Sequence, residues 1–178
     1  MIVRSTLALC LPALLAACAG QPPAPPLAVP DNLRAAANET LLTVLVARGV
    51  QIYECRARKD TPSATEWAFV APEADLFDAQ GKLVGKHYAG PHWEASDGSK
   101  IVGAVKARAD APQAGAIPWL LLGTKSVGPA GTFSKVTSIQ RVSTVNGVAP
   151  AADGCTAAML GKVVRVGYSA DYRLFAAQ

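Results

Sequence analysis

The sequence lacks an uninterrupted apolar run of the roughly 20 residues that a membrane-spanning helix needs. Its most apolar stretch covers residues 7–15 and is interrupted by Pro12. It also lacks a basic stripe: the 17 Lys and Arg residues are scattered, and only Arg56, Arg58 and Lys59 cluster. Because nucleic-acid binding depends on concentrated positive charge, nucleic acid is not expected as a partner.

Familiar catalytic motifs are absent as well. The sequence has no Gly-x-Ser-x-Gly nucleophile elbow, no Cys-x-x-Cys pair, no Gly-x-Gly-x-x-Gly dinucleotide motif and no phosphate-binding loop. These absences argue against serine-nucleophile catalysis, a clustered zinc site and nucleotide cofactors. We expect no cofactor, and we favour a non-catalytic protein over an enzyme.

The N-terminal segment has the pattern of a lipoprotein signal peptide. Arg4 gives a positive start, residues 7–15 give an apolar stretch, and the sequence Leu-Ala-Ala-Cys ends at Cys18. Small residues before a cysteine are typical of cleavage by a signal peptidase. We therefore predict that residues 1–17 are removed and that Cys18 is acylated, which makes membrane lipid the first expected partner.

The same segment allows ordinary secretion. Ala17-Cys18-Ala19 fits an Ala-x-Ala cleavage site, which would release a soluble secreted or periplasmic protein. No Asp follows Cys18, and this favours the periplasmic face of the outer membrane over the inner membrane. Residues 18–30 contain five prolines and are expected to form a stiff spacer. Residues 31–178 would then form the folded domain.

Two cysteines remain outside the signal segment, Cys55 and Cys155. In an oxidising compartment an even pair is expected to form a disulfide, although two free thiols acting as ligands or nucleophile are the alternative.

The rest of the chain has the pattern of an all-β domain. Glycines and prolines recur every 8 to 12 residues, with β-branched runs between them. From Val164 to Leu174, apolar residues alternate with polar ones, which predicts a strand with one buried face. A short helix in 35–45 is the weaker alternative to a strand there. We predict a single antiparallel β-sandwich or barrel with little helix.

Turn signals support this prediction. Asp97-Gly98 predicts a type I′ hairpin between Trp93–Ala95 and Lys100–Ala107. Residues 78–81 and Asn146-Gly147 mark two further reversals. Arg141 lies among strand residues and is expected either to pair with a buried acid or to face outward.

Polar and aromatic residues are densest around a Gly-Pro bend at residues 90–91. The two histidines, His87 and His92, flank the bend, and a carboxylate could complete a metal set with them. Structural or ligand-contact roles are more common for such histidines, so we predict no metal site. Trp93 is expected to be partly exposed. The candidate ligand-binding residues are His87, Tyr88, Trp93, Glu94 and Asp97.

Several segments resemble one known family, the domain of unknown function 3455, over most of residues 29–175. They are Trp67-Ala68-Phe69-Val70-Ala71-Pro72-Glu73-Ala74, His87-Tyr88-Ala89-Gly90-Pro91, Trp93-Glu94-Ala95, Asp97-Gly98-Ser99, Pro118-Trp119-Leu120-Leu121-Leu122, Thr137 to Val142, Gly154-Cys155, and Tyr168 with Ala170-Asp171-Tyr172. The resemblance implies an exported β-rich domain, supports pairing of Cys55 with Cys155, and supplies no activity. The family is expected to have a small polar residue where this chain has His92, which makes His87 the better candidate site residue.

Two functions are compatible with these observations. The first is a membrane-anchored envelope lipoprotein of non-catalytic role, which binds a small molecule or an envelope protein or is structural. The second is a small periplasmic hydrolase or metal-dependent enzyme centred on His87, Glu94 and Asp97.

Overall fold

The computed structural model describes residues 27–178, and the predicted signal segment, Cys18 and most of the proline-rich spacer lie outside them. The described part contains three 3-10 helices of three residues each, at Asp31–Leu33, Ala152–Gly154 and Ala157–Met159. The strands are β1 (Glu39–Ala57), β2 (Thr65–Phe77), β3 (Leu83–Tyr88), β4 (His92–Ala95), β5 (Lys100–Ala109), β6 (Trp119–Ser126), β7 (Ser138–Asn146) and β8 (Val163–Ala177).

The eight strands form one closed up-and-down barrel. Each strand pairs antiparallel with the next along the chain, and β1 closes the ring by pairing with β8. Closure leaves no unpaired sheet edge. The predicted all-β class is therefore confirmed, and of the two predicted architectures the chain adopts the barrel.

Two sequence expectations about strands are confirmed. In β8, Tyr168, Ala170, Tyr172 and Leu174 are buried while the residues between them are more exposed, as the alternation predicted. In the region 35–45, the strand was preferred over a short helix, and β1 begins there at Glu39.

The hairpin at Asp97-Gly98 is confirmed, but its predicted turn type is wrong. Gly98 has φ +83°, whereas Asp97 is not among the residues of positive φ that a type I′ turn needs at both central positions. Gly98 N–H donates to the Ala95 carbonyl, and Ala95 N–H donates to the Ser99 carbonyl. The loop is therefore one residue longer than predicted, with glycine in its left-handed position.

The two ends of the barrel differ. The end that carries the β2–β3, β4–β5 and β6–β7 connections is filled by Phe133 and Val136, which join the interior apolar core from the β6–β7 loop. We call it the plugged end. The opposite end carries the connections β1–β2, β3–β4, β5–β6 and β7–β8, and we call it the open end.

A smaller core lies on the outside of the barrel wall. Leu33 is fully buried there against Trp119 and Val142, and its carbonyl accepts a hydrogen bond of 2.7 Å from Gln140 Nε2. Asn32 Nδ2 donates to the Arg108 carbonyl at 3.1 Å. The chain therefore enters the fold along the wall formed by β5 and β6.

Cys55, near the end of β1, is bonded to Cys155 in the loop before β8, with their Cα atoms 5.4 Å apart. The bridge closes a loop of 100 residues in sequence and ties the long β7–β8 connection to the open end of the barrel.

Replacing both cysteines by alanine is expected to lower the free energy of unfolding by about 2–5 kcal/mol, since a loop of this length loses much entropy in the denatured chain. Urea unfolding of the oxidised protein and of the double variant measures the difference. The reduced wild-type protein serves as the control and should match the variant. A double variant as stable as the oxidised protein would contradict the expectation.

Candidate functional site

Polar side chains from five strands meet inside the barrel near its open end. Because alternate residues of a barrel strand face inward, Gln51, His87, Trp93, Arg141 and Tyr172 all line one inner cavity of about 140 Å³. The rest of its wall is apolar and consists of Phe69, Pro72, Pro91, Val105, Leu120 and Leu122. The interior is therefore not completely filled by its own side chains.

A second, wider cavity of about 470 Å³ forms the mouth of the barrel. It shares five wall residues with the inner cavity, namely Gln51, Phe69, Val105, Leu120 and Arg141. Arg108 and Tyr53 also line it, and Val105 at the shared wall is 59% exposed. The shared walls connect the inner cavity to the surface.

A bulge in β5 shapes this mouth. Val105 pairs with Leu122, whereas Ala107 pairs with the adjacent Leu121, so Lys106 is the extra residue. Val105 therefore lies on the cavity side of the sheet, while Ala107 packs against the outer core around Leu33.

Two buried donors at the cavity have no hydrogen-bond partner within residues 27–178. Gln51 is only 3% exposed and Trp93 only 1%, yet Gln51 Nε2 and Trp93 Nε1 each lack an acceptor. An unsatisfied buried polar group costs about 1–3 kcal/mol. A ligand with acceptor atoms would remove that cost.

Arg141 supplies a positive charge to the same region. Its Nε and Nη2 donate to the Pro118 carbonyl at 3.1 and 2.8 Å. Within residues 27–178 no acidic side chain forms an ion pair with it. Arg141 was expected to pair with an acid or to face outward, and both expectations are wrong because it lines the cavity without a carboxylate.

The tyrosines of β8 remain protonated beside this charge. Burial raises the pKa of Tyr172 and of Tyr168 well above the ordinary tyrosine value. Their hydroxyl oxygens lie 3.4 Å apart. Both side chains therefore keep O–H groups that can donate hydrogen bonds.

His87 is a neutral wall residue of the cavity. Its ring stacks on Trp93 with centroids 4.1 Å apart, and Nδ1 donates to the His92 carbonyl at 2.8 Å. Burial, helped by the positive charge of Arg141, lowers the pKa of His87 to about 3. The ring is thus uncharged at neutral pH, with its proton on Nδ1.

The sequence-predicted candidates do not form one cluster. His87 and Trp93 are paired neighbours that face the interior, whereas Tyr88 and Glu94 occupy alternate positions and line a depression on the outer face. There the Tyr88 hydroxyl donates to Glu94 Oε2. The expectation that Trp93 is partly exposed is wrong, because its strand position directs it into the core.

Asp97 has a structural position at the plugged end. One carboxylate oxygen accepts hydrogen bonds from the backbone and hydroxyl of Ser99, and the other accepts them from the backbone and hydroxyl of Thr132. These bonds hold the pKa of Asp97 far below its usual value. Ser99 Oγ in turn accepts from the backbone of Phe133, so Asp97 fixes the loop that fills this end.

Sequence reasoning missed Gln51 and Tyr172 as site residues. Tyr172 was assigned correctly to the buried face of β8, but a buried face gave no sign that a cavity adjoins it. Gln51 is one of several polar residues in β1, and only its burial in the closed barrel shows that it lines the cavity.

In residues 27–178, no group of three or more His, Cys, Asp or Glu side chains is arranged to hold a metal ion. No helix in the described part of the chain is long and apolar enough to cross a membrane.

Fold and site together define a closed eight-stranded barrel with a partly polar interior cavity. Comparison with known families gives the same grouping as the sequence segments: residues 35–176 match the family described as protein of unknown function (DUF3455). The chain belongs to this family. No curated protein matches the chain. No solved structure matches it.

The depressed pKa of His87 predicts a pH-dependent stability. In the unfolded chain His87 becomes protonated below about pH 6.5, whereas in the folded protein it stays neutral down to about pH 3. The free energy of unfolding should therefore fall on acidification, by about 1.4 kcal/mol per pH unit.

Urea unfolding between about pH 6.5 and 4.5 measures this slope. His87→Gln, which keeps a donor for the His92 carbonyl, should flatten it, whereas the matched variant His92→Gln keeps His87 and should retain it. Equal slopes in the two variants would contradict the assignment.

Proposed function

We propose that the protein is a lipid-anchored envelope protein whose barrel binds a small molecule in the cavity near its open end. The observation that carries this proposal is the cavity itself, in whose wall Arg141 lies beside two buried donors, Gln51 Nε2 and Trp93 Nε1, that have no acceptor within residues 27–178. A barrel with a purely structural role would gain stability from apolar residues at these positions.

The difference between the two ends of the barrel also favours ligand binding over a purely structural role. At the plugged end, Phe133 and Val136 fill the interior and the polar atoms of Asp97 and Ser99 are satisfied. A cavity of about 350 Å³ also lies at the plugged end, but Asp78 and Asp97 line it beside Lys82. At the open end, the inner cavity, the cation of Arg141 and the two donors without acceptors in the described chain coincide, as in small barrels that hold one ligand.

The membrane tether rests on the sequence around Cys18, and one contact of the fold is relevant to it. Asn32 bonds to the carbonyl of Arg108, and Arg108 lines the mouth. A tether that leads into residue 32 would therefore join the fold beside the mouth, at the end of the predicted stiff spacer.

Catalysis centred on His87, Glu94 and Asp97 has less support. His87 faces the interior, Glu94 faces outward on the neighbouring strand, and Asp97 is committed to four hydrogen bonds at the plugged end. General acid–base chemistry needs its groups within hydrogen-bond reach of one substrate, and these three do not line one cavity.

Blocking the mouth should weaken binding of a small molecule in the cavity. Val105→Trp places a bulky side chain at the wall shared by both cavities, and we expect it to weaken binding by at least about tenfold. Octanoate and octan-1-ol, titrated against the purified protein by calorimetry, serve as the probes. The wild-type protein should bind at least one of them.

Val163→Trp is the matched control, because Val163 is 58% exposed but lines neither cavity. It should bind like the wild type. Failure of both probes to bind at roughly 1 mM, or equal weakening by the two tryptophan variants, would refute binding in the barrel.

Acylation at Cys18 is tested separately. Cells that express the full chain and are fed radiolabelled palmitate should label the wild-type protein and leave Cys18→Ala unlabelled, since the thiol is the acceptor of the lipid. Equal labelling of both forms, or none in either, would refute the tether.

A further inference from the structure

We infer that the barrel is built for a small organic monoanion, a carboxylate with an apolar body, whose carboxylate lies against Arg141 and Gln51. This inference rests on the proposed function and adds the chemical class of the ligand.

The charges around the two cavities are of one sign. Arg141 lines both cavities and Arg108 lines the mouth, while no Asp or Glu of the described part of the chain lines either cavity. A partly buried cation without a partner is unfavourable, and an anion is the group that compensates it. A cationic ligand would meet only repulsion here.

The hydrogen-bonding groups point to the same ligand. Gln51 Nε2 and Trp93 Nε1 offer N–H donors without acceptors, and the raised pKa of Tyr172 keeps an O–H beside them. An ionised carboxylate is acceptor-only, so it can use several donors at once. A ligand group rich in donors would leave these atoms unsatisfied.

One negative charge fits better than two. Among the residues that the structure describes, Arg141 is the single charged one at the inner cavity, because His87 is neutral there. Two of the guanidinium nitrogens of Arg141 already donate to the Pro118 carbonyl. A phosphate dianion would carry a second charge into a low-dielectric wall that has nothing to balance it.

The remaining wall selects an apolar body. Beyond its polar residues, the inner cavity is bounded by aromatic, aliphatic and proline side chains, and Phe69, Val105 and Leu120 continue this surface into the mouth. A chain or ring attached to the carboxylate would bury apolar area along this path toward the open end.

The test compares octanoate with octan-1-ol, which have the same chain length and differ in the headgroup. At neutral pH the wild-type protein should bind octanoate at least about tenfold more tightly than octan-1-ol, because charge-assisted bonds to Arg141 are the stronger ones. Calorimetric titration gives both dissociation constants.

Three variants test which residues cause the preference for octanoate over octan-1-ol. Arg141→Met should reduce the ratio of the two affinities to near one while octan-1-ol still binds. Gln51→Met should weaken octanoate alone by about three- to tenfold. Arg165→Met removes an outer-face arginine that pairs with Glu73, and should leave both affinities unchanged. If Arg141→Met does not fold, the Gln51→Met result and the wild-type ratio still decide the question.

The outcomes separate the two proposals. Equal binding of octanoate and octan-1-ol by the wild type, with loss of both in Val105→Trp, would overturn the anion inference and leave interior binding in place. A preference for octanoate that survives Arg141→Met or disappears in Arg165→Met would also overturn it. Absence of binding by either probe overturns both proposals.

Discussion

Pairing of β1 with β8 closes the sheet into a ring, and this closure determines which side chains share the barrel interior. β1 is 19 residues long and pairs with β2 from Val46 to Ala57 and with β8 from Glu39 to Glu54. Once the ring is closed, every second residue of each strand points inward, and the interior of an eight-stranded barrel is only wide enough for these side chains. The size of each inward residue then decides whether the space is filled or left open. Gly49 shows how tight the wall is, because a Cβ there would lie 2.0 Å from the Glu73 carbonyl oxygen.

The two ends meet this constraint in opposite ways. At the plugged end the β6–β7 loop inserts Phe133 and Val136, and the Asp97 and Ser99 hydrogen bonds hold that loop in place. At the open end, polar residues occupy inward positions without a complete set of partners. Retaining a cation and unsatisfied donors inside a barrel costs stability. The proposed anionic ligand accounts for that cost, since it would supply both the charge and the acceptors.

The fold was largely predictable, and the site was not. Strand periodicity is local information, so the alternation in β8 and the turns at Asp78 and Gly98 could be inferred from neighbouring residues. A cavity depends on which strands close the ring and in which register, and that is not local. The density of polar residues in 87–97 therefore suggested one cluster, whereas the period of two sends His87 and Trp93 inward and Tyr88 and Glu94 outward. Gln51 and Arg141, separated by 90 positions along the chain, meet only after closure.

The most direct test of an interior ligand site uses the three tryptophans as reporters. Trp93, Trp67 and Trp119 each have a buried indole N–H without an acceptor in the described part of the chain, but of the three only Trp93 lines the inner cavity. Octanoate is added stepwise to the ¹⁵N-labelled protein, and the indole N–H signals are followed in ¹H–¹⁵N spectra. Spectra of the Trp93→Phe and Trp119→Phe variants assign these signals. We expect the Trp93 signal to shift saturably while the Trp119 signal stays in place. A Trp93 signal that does not move, or movement confined to Trp67 or Trp119, would contradict this expectation.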